Sequence, residues 1–573
     1  MQKKLFMKYL FLVCSLFLFS INLLTAQKEY PKNDFIAPLN IPLRLAGNFG
    51  ELRSNHYHAG IDIKTQQKEG LKVLSVADGY VSRIKVSHYG YGKALYITHP
   101  NGYTTVYGHL KKFSKEIQEY VVKKQYEDES YEIELFPTIN DLQVKQGDVV
   151  AYSGNTGGSG GPHLHFEFRD TETEHIINPI LFGMDVKDSK APVFQNILGY
   201  TLDATSQING QQGTYQLNFS RQNDGTYLTN KINASGILGF AVKGYDSQDG
   251  SYNHNGIYEI EMQLNGTPYL NLDFETFSFD ESKQINTYID YPRYINKHQR
   301  FQKTFIDEGN QLSIYNLKTN QGKLAIEPGQ DYTVTILLKD IEGNTTKIYV
   351  PIHGEDKPIS KPYPDTKTNF YLIANRDNYY EVDNASIFFP ANTFYKNEYL
   401  DIKKEDEVLW VHNTEVPLQD YYNLTFDISH IKDSLDISQY FIASLYTNGS
   451  PRYENTRLKG NTLSTRTKNL GAFVILKDNT PPTAQAVNFA DNQWISNYNY
   501  LTFKISDALS GIKSYRATID GKWILTEYEY KNNTLTFNCE DLTFEGSKHK
   551  LELTVTDNVG NSTTFTRTFF RKY

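Results

Sequence analysis

Cysteine is almost absent from this 573-residue chain: it has two, Cys14 and Cys539. Cys14 lies in an N-terminal leader, so the mature chain has no internal disulfide and no cysteine-based metal site. Long apolar runs are also missing beyond residue 30. The helical zinc-protease signature His-Glu-x-x-His occurs nowhere. Excess positive charge is lacking as well. The net charge is −8, and without the three lysines of the leader 55 basic residues face 66 acidic ones, or −11. Such a surface offers no electrostatic attraction to nucleic acid or anionic lipid. Aromatics, in contrast, are plentiful, with 43 Tyr and 33 Phe making up most of a 14% share. That content excludes a disordered chain. At about 150 residues per domain the length predicts roughly four domains.

Residues 1–26 read as a secretory signal peptide. Lys3, Lys4 and Lys8 precede the apolar run Tyr9 to Leu24 and then Thr25-Ala26-Gln27. The run is shorter than the ~20 residues a span needs, and no further membrane segment is expected. Export to the periplasm, cell envelope or extracellular space follows.

Residues 30–187 form a block of short alternating and apolar segments separated by turn residues, the pattern of antiparallel β structure. A longer segment, 111–143, contains a helix expected over Ser114 to Gln125. Beyond it, residues 191–356 and 481–573 share a layout. Asp246 precedes Gly256-Ile257 and Asn265-Gly266, as Asp507 precedes Gly511-Ile512 and Asp520-Gly521. Each ends in Asp-x-x-Gly-Asn, at Asp340 to Asn344 and Asp557 to Asn561. Alternating strands with Asn-Gly and Asp-Gly turns predict two β-sandwiches similar to bacterial Ig-like domains. Residues 365–478 read as a third sandwich-like module. The fold class is mostly β, and the modules are expected to fold on their own cores as spacers or as binders of the wall or another protein.

Chemistry concentrates in three motifs: His58-Ala-Gly-Ile-Asp62, Tyr107-Gly-His109-Leu110 and Gly161-Pro-His163-Leu-His165-Phe-Glu167. On a strand, His163 and His165 share one face. Gly60 permits a tight path by which His58 and Asp62 converge. A catalytic zinc needs three protein ligands and an open position. His58, Asp62 and one histidine of the pair supply the three, leaving the other and His109 beside the metal.

In their order and with their flanks, Asn48 to Arg53 and Ser153 to Gly157, these motifs resemble those of the M23 (lysostaphin/LytM-type) zinc endopeptidases, over about residues 40–182. The resemblance implies a β-rich core with an open groove, Zn²⁺ held by His58, Asp62 and His165, and His109 and His163 as catalytic histidines. It implies peptide bonds of peptidoglycan stems or cross-links as substrate. The 111–143 segment is longer than the family's usual connection and is expected to wall the groove. The alternatives are a non-catalytic wall binder or hydrolase activator, and a peptidase acting on non-wall proteins or peptides. His56 could face the groove or the surface; His88 and His99 read as strand or turn residues. Asp340 and Asp557 could suggest calcium, but each is followed by Gly-Asn, and a turn closing on the Asx side chain is the better reading.

Overall fold

The computed structural model describes residues 29–364, 366–431 and 437–572; the leader, and with it the signal-peptide reading, lies outside them. The chain is mostly β. Among the described residues no helix is long and apolar enough to cross a membrane.

The N-terminal domain is built from β1 (Leu45–Gly47), β2 (Ile61–Lys64), β3 (Lys72–Leu74), β4 (Gly79–Val86), β5 (Lys93–Thr98), β6 (Tyr103–Gly108), β7 (Leu110–Phe113), α1 (Lys115–Glu127), β8 (Ile133–Leu135), β9 (Gln143–Val144), β10 (Val149–Ser153), β11 (His163–Asp170) and β12 (Ile176–Ile177). Its main sheet runs β1-β2-β11-β6-β5-β4-β8, and β3-β10-β7 form a second, small sheet. Strand β11 lies between β2 and β6, and alternation decides its two faces. Leu164, Phe166 and Phe168 are fully buried in the core, while His163, His165, Glu167 and Arg169 line the other side. Register then sets the site: His165 lies opposite Asp62 on β2 and Gly108 on β6.

The 111–143 segment is ordered, but it does not wall the groove. Its strand β8 joins the edge of the sheet farthest from β2, with β6, β5 and β4 between it and β11. Helix α1 buries Ile117, Val121 and Gln125. Tyr126 and Glu129 meet Trp523 and Arg516 of the terminal sandwich. The length of this segment serves as a docking seat.

In residues 191–356 two sheet layers share the 14-residue strand Ile232–Tyr245. Residues 232–235 pair within one layer and 236–245 within the other. Gly236 sits at the crossing with φ +80°, a conformation that glycine adopts without steric cost. Residues 370–477 form two five-stranded sheets and a two-stranded one, and residues 483–570 a four- and a five-stranded sheet.

The modules do not stand apart as spacers. Phe49, Tyr57, Ala59 and Ile176 of the N-terminal domain belong to one apolar core with Phe274, Phe277 and Tyr288 of the first sandwich. The Phe49 and Phe277 rings lie 4.8 Å apart, and Tyr57 lies 5.3 Å from Phe274. Strand β12 pairs with Thr276–Phe277, so the main sheet continues into the sandwich. Repeat layout reveals where a module starts and ends, but not which of its apolar faces covers a neighbour.

Burying a large apolar side chain is worth about 1.5–3 kcal/mol, and whole domains are stable by only about 5–15 kcal/mol. A chain ending at Lys187 would expose four core residues at once. It is expected to melt well below the full-length protein and to bind a hydrophobic dye, as circular dichroism and fluorescence would show. Equal melting temperatures would mean that the shared core contributes little.

Candidate metal centre

Three side chains converge from β2, from the turn before it and from β11. His58 Nε2 lies 3.0 Å from Asp62 Oδ1, His165 Nδ1 lies 3.0 Å from the same oxygen, and the two nitrogens are 3.1 Å apart. All three residues are buried. Asp62 and His165 meet because they are cross-strand partners, whose Cβ atoms stand close on one face. His58 arrives through Gly60, where a Cβ would sit 2.2 Å from the Phe166 carbonyl oxygen; only glycine permits that approach.

Hydrogen bonds on the far side of each ring set its tautomer. His58 Nδ1 faces the Asn48 carbonyl oxygen at 2.7 Å, so it carries the proton and leaves the Nε2 lone pair pointing inward. His165 Nε2 faces the Glu167 carboxylate at 2.8 Å and leaves its Nδ1 lone pair inward. Glu167, fully buried, is held by Arg169 Nε at 2.8 Å and by the Tyr91 hydroxyl. The Tyr91 ring stacks on His165 with centroids 4.8 Å apart. Arg53 Nη2 holds Asp62 Oδ2 at 3.0 Å, which leaves Oδ1 facing the imidazoles.

Two lone pairs and a carboxylate oxygen pointing at one another require positive charge between them. Without a metal a proton takes that place. Burial alone would lower His165, but hydrogen bonds with Asp62 and Glu167 outweigh it and push the group up to about 9. Burial likewise opposes ionisation of Asp62, yet the nearby His58 and the ring nitrogens of His163, His165 and His58 beside its carboxylate hold it well below the usual carboxylate range. A cation fits the same place. In a tetrahedral zinc site with bonds of about 2.0–2.1 Å the ligand atoms lie about 3.3 Å apart, close to the spacings here.

Two further imidazoles flank the triad. His109 Nδ1 is anchored on the Thr156 carbonyl at 2.8 Å and His163 Nδ1 on the Gly161 carbonyl at 2.8 Å, so both donate there and keep Nε2 as acceptor. Their rings lie 4.7 Å apart. His163 Nε2 is 3.3 Å from Asp62 Oδ1. His109 sits at φ +57°, in the left-handed region that non-glycine residues adopt at some cost, at the corner between β6 and β7. Burial, then the neighbouring His165 and His163, push it down to about 3, so it is neutral near pH 7.

The loop bearing Thr156 and Gly161 is gripped from far along the chain. Lys531 Nζ of the terminal sandwich donates to the carbonyls of Asn155 (2.5 Å), Gly157 (3.2 Å) and Ser159 (3.3 Å). Lys93 pairs with Glu527 beside it. The terminal module thus steadies the loop on which both flanking histidines lean.

All five residues singled out in the sequence, His58, Asp62, His109, His163 and His165, come together. His56 is exposed, while His88 and His99 are engaged by Glu132 and by Asp78 and Thr105. Glu167 and Arg169 went unassigned, although the i, i+2, i+4, i+6 alternation from His163 places both on the histidine face. Arg53 lies in the flank ahead of the first motif, without an assigned role, whereas Tyr91 and Lys531 carry no sequence signal, since tertiary structure alone brings them here.

A β-rich domain that presents two imidazoles and a carboxylate to one point, with two more imidazoles alongside, has the donor set of a metal-dependent hydrolase. Residues 56–126 and 139–179 match the profile of Peptidase family M23, so the resemblance holds over the N-terminal domain. Residues 369–478 match the Zu5-like domain profile. The chain is 33% identical over 139 residues to DD-carboxypeptidase/endopeptidase Mpg of Neisseria meningitidis, an alignment covering 23% of this chain and 26% of that one. It is 28% identical over 154 residues to cell division protein DipM of Caulobacter vibrioides, covering 26% and 19%. The chain thus spans about a quarter or less of these relatives' lengths. Among solved structures, the catalytic domain of lysostaphin from Staphylococcus simulans aligns at 21% identity over 25% of this chain and 93% of that one, with a TM-score of 0.19.

Partners behind metal-bound histidines typically account for 10–100-fold in metal affinity. Glu167→Gln should therefore weaken zinc binding by about that factor in a competition titration. Unchanged affinity would show that the Glu167–His165 bond does not tune the site.

Proposed function

We propose that this protein is an exported zinc metalloendopeptidase that hydrolyses peptide bonds in peptidoglycan stems or cross-links, in the periplasm, cell envelope or extracellular space. The observation that carries the reading is the convergence of His58 Nε2, Asp62 Oδ1 and His165 Nδ1, all within 3.1 Å, beside two anchored imidazoles. His58, Asp62 and His165 would hold the metal. When bound, zinc lowers the pKa of a water molecule to about 7 and polarises the scissile carbonyl.

The chain's own groups do the rest. His109 and His163 present Nε2 toward the reaction centre because backbone carbonyls hold their Nδ1 protons. One takes the proton from the attacking water and passes it to the leaving amine; the other, when protonated on both ring nitrogens, donates from Nε2 to the oxygen on which charge develops. Glu167 and Asn48 keep the ligand rings oriented. Arg53 keeps Asp62 ionised and turned inward. The name of the Neisseria relative, a DD-carboxypeptidase and endopeptidase, supports a wall peptide as substrate. Retention of all five motif residues supports catalysis over mere binding.

Digestion of purified sacculi tests this. The zinc-loaded protein should free new amino groups and a chelator should abolish the release. His109→Ala and His163→Ala should keep the metal while activity falls about 10²–10⁴-fold. Loss of zinc in either variant, with retention in His165→Ala, would reverse the assignment within the pair.

A further inference from the structure

A second group of potential ligands lies in the seam between the N-terminal domain and the first sandwich. Asp188 in the entering linker, Asp246 after strand Ile232–Tyr245 and Asp340 after strand Asp331–Lys339 each place a ligand atom within 4.8 Å of the others. Among the described residues, no lysine or arginine side chain pairs with any of the three. Asp340 accepts from the backbone and side chain of Asn344, which closes the turn expected from the sequence, and Asp188 accepts from the Lys190 amide. Asp246 is only 5% exposed, and its buried Oδ1 has no hydrogen-bond partner.

A buried amide stands beside it. Asn255 is 2% exposed, and neither its Oδ1 nor its Nδ2 finds a partner. The backbones of Asp246 and Asn255 exchange two hydrogen bonds, at 2.9 and 2.8 Å. Residues paired in this way project their side chains to the same face, so the Asn255 amide points to the side on which Asp246 stands. A cavity of about 20 Å³, lined by Asp188 and Asp246 together with Asn48, Asn178 and Tyr258, has room for one ion or water.

Carboxylates this close do not all ionise without a counter-charge. Burial, then Asp188 and Asp340, push Asp246 up to about 8. The terminal sandwich repeats the cluster as Asp478, Asp507 and Asp557, but there backbone donors compensate. Asp557 Oδ1 accepts from Val559, Gly560 and Asn561, and Asp507 Oδ2 from Leu509 and Gly511, although Asp507 Oδ1, like Asp246 Oδ1, has no partner.

We infer that Asp188, Asp246, Asp340 and the side-chain oxygen of Asn255 form a Ca²⁺ site that braces the seam. Hard oxygen donors with three negative charges suit Ca²⁺, whose coordination water completes; zinc prefers nitrogen and sulfur. The site also bears on the metal centre. Asn48 lines the same cavity, its side chain bonds the Gly256 backbone at 2.8 and 2.7 Å, and its carbonyl receives the His58 Nδ1 proton. An ion here would stiffen the strut behind His58.

The full-length protein, stripped of metal and reloaded with zinc, provides the test. Added Ca²⁺ should raise its unfolding temperature. Tb³⁺ should give Tyr-sensitised emission, Tyr258 lining the cavity, and Ca²⁺ should displace it. Both responses should vanish in Asp188→Asn/Asp246→Asn while zinc content stays the same. Should that variant not fold, Asn255→Ala, which removes a neutral ligand, should raise the Ca²⁺ midpoint by about tenfold. An unfolding temperature flat through millimolar Ca²⁺, a Ca²⁺ response surviving in the double variant, or an unchanged midpoint in Asn255→Ala would each overturn the site.

Discussion

Two imidazole lone pairs and a carboxylate oxygen aimed at one buried point repel one another unless a positive charge lies between them, and the rest of the N-terminal domain is arranged around that constraint. The tautomer of each ring is fixed from behind, by the Asn48 carbonyl for His58 and by Glu167 for His165. Glu167 is a fully buried anion and in turn needs Arg169 and Tyr91. The chain of dependence therefore runs from the metal point outward along one face of β11. The strand's other face, Leu164, Phe166 and Phe168, fastens it to the core. Polar and apolar requirements are met by one strand because its period is two.

The same logic explains the size of the molecule. The strut that carries Asn48 and the residues before His58 is packed against the first sandwich through Phe49 and Tyr57. The loop that anchors His109 and His163 is held by Lys531 of the terminal sandwich. Opposite sides of the centre are therefore buttressed by modules that carry none of its five histidine and aspartate residues. Preorganised groups of this kind lower the reorganisation needed during reaction. A motif-bearing domain thus owes part of its geometry to residues more than 370 positions away.

Much of this was legible in the sequence, and the boundary of legibility is physical. The mostly β architecture shows in the alternation and turn signals, because they report a local period. The convergence of His163 with His165, and of His58 with Asp62 through Gly60, shows because strand alternation and glycine's freedom are also local. Glu167 and Arg169 stood in the same alternation and could have been read from it. The roles of Arg53, Tyr91 and Lys531 could not, since only register and packing bring those side chains in. The expectation that residues 111–143 would wall the groove failed for a related reason. Their spacing revealed a helix and a strand, but the pairing of β8 with β4 placed them at the far edge of the sheet. The modules at 370–477 and 483–570 do have cores of their own, but the first sandwich shares its core with the N-terminal domain, because repeat layout is blind to the aromatic seam at Tyr57, Phe274 and Phe277.

X-ray absorption at the zinc edge of the metal-loaded full-length protein tests the central claim most directly, because it counts imidazoles in the metal's shell. The account predicts nitrogen and oxygen ligands at about 2.0–2.1 Å with multiple scattering from two imidazoles, one oxygen from Asp62, and no sulfur. Scattering from three or more imidazoles would contradict it. That result would place His163 or His109 on the metal and remove from the reaction a group assigned to proton transfer or oxyanion stabilisation.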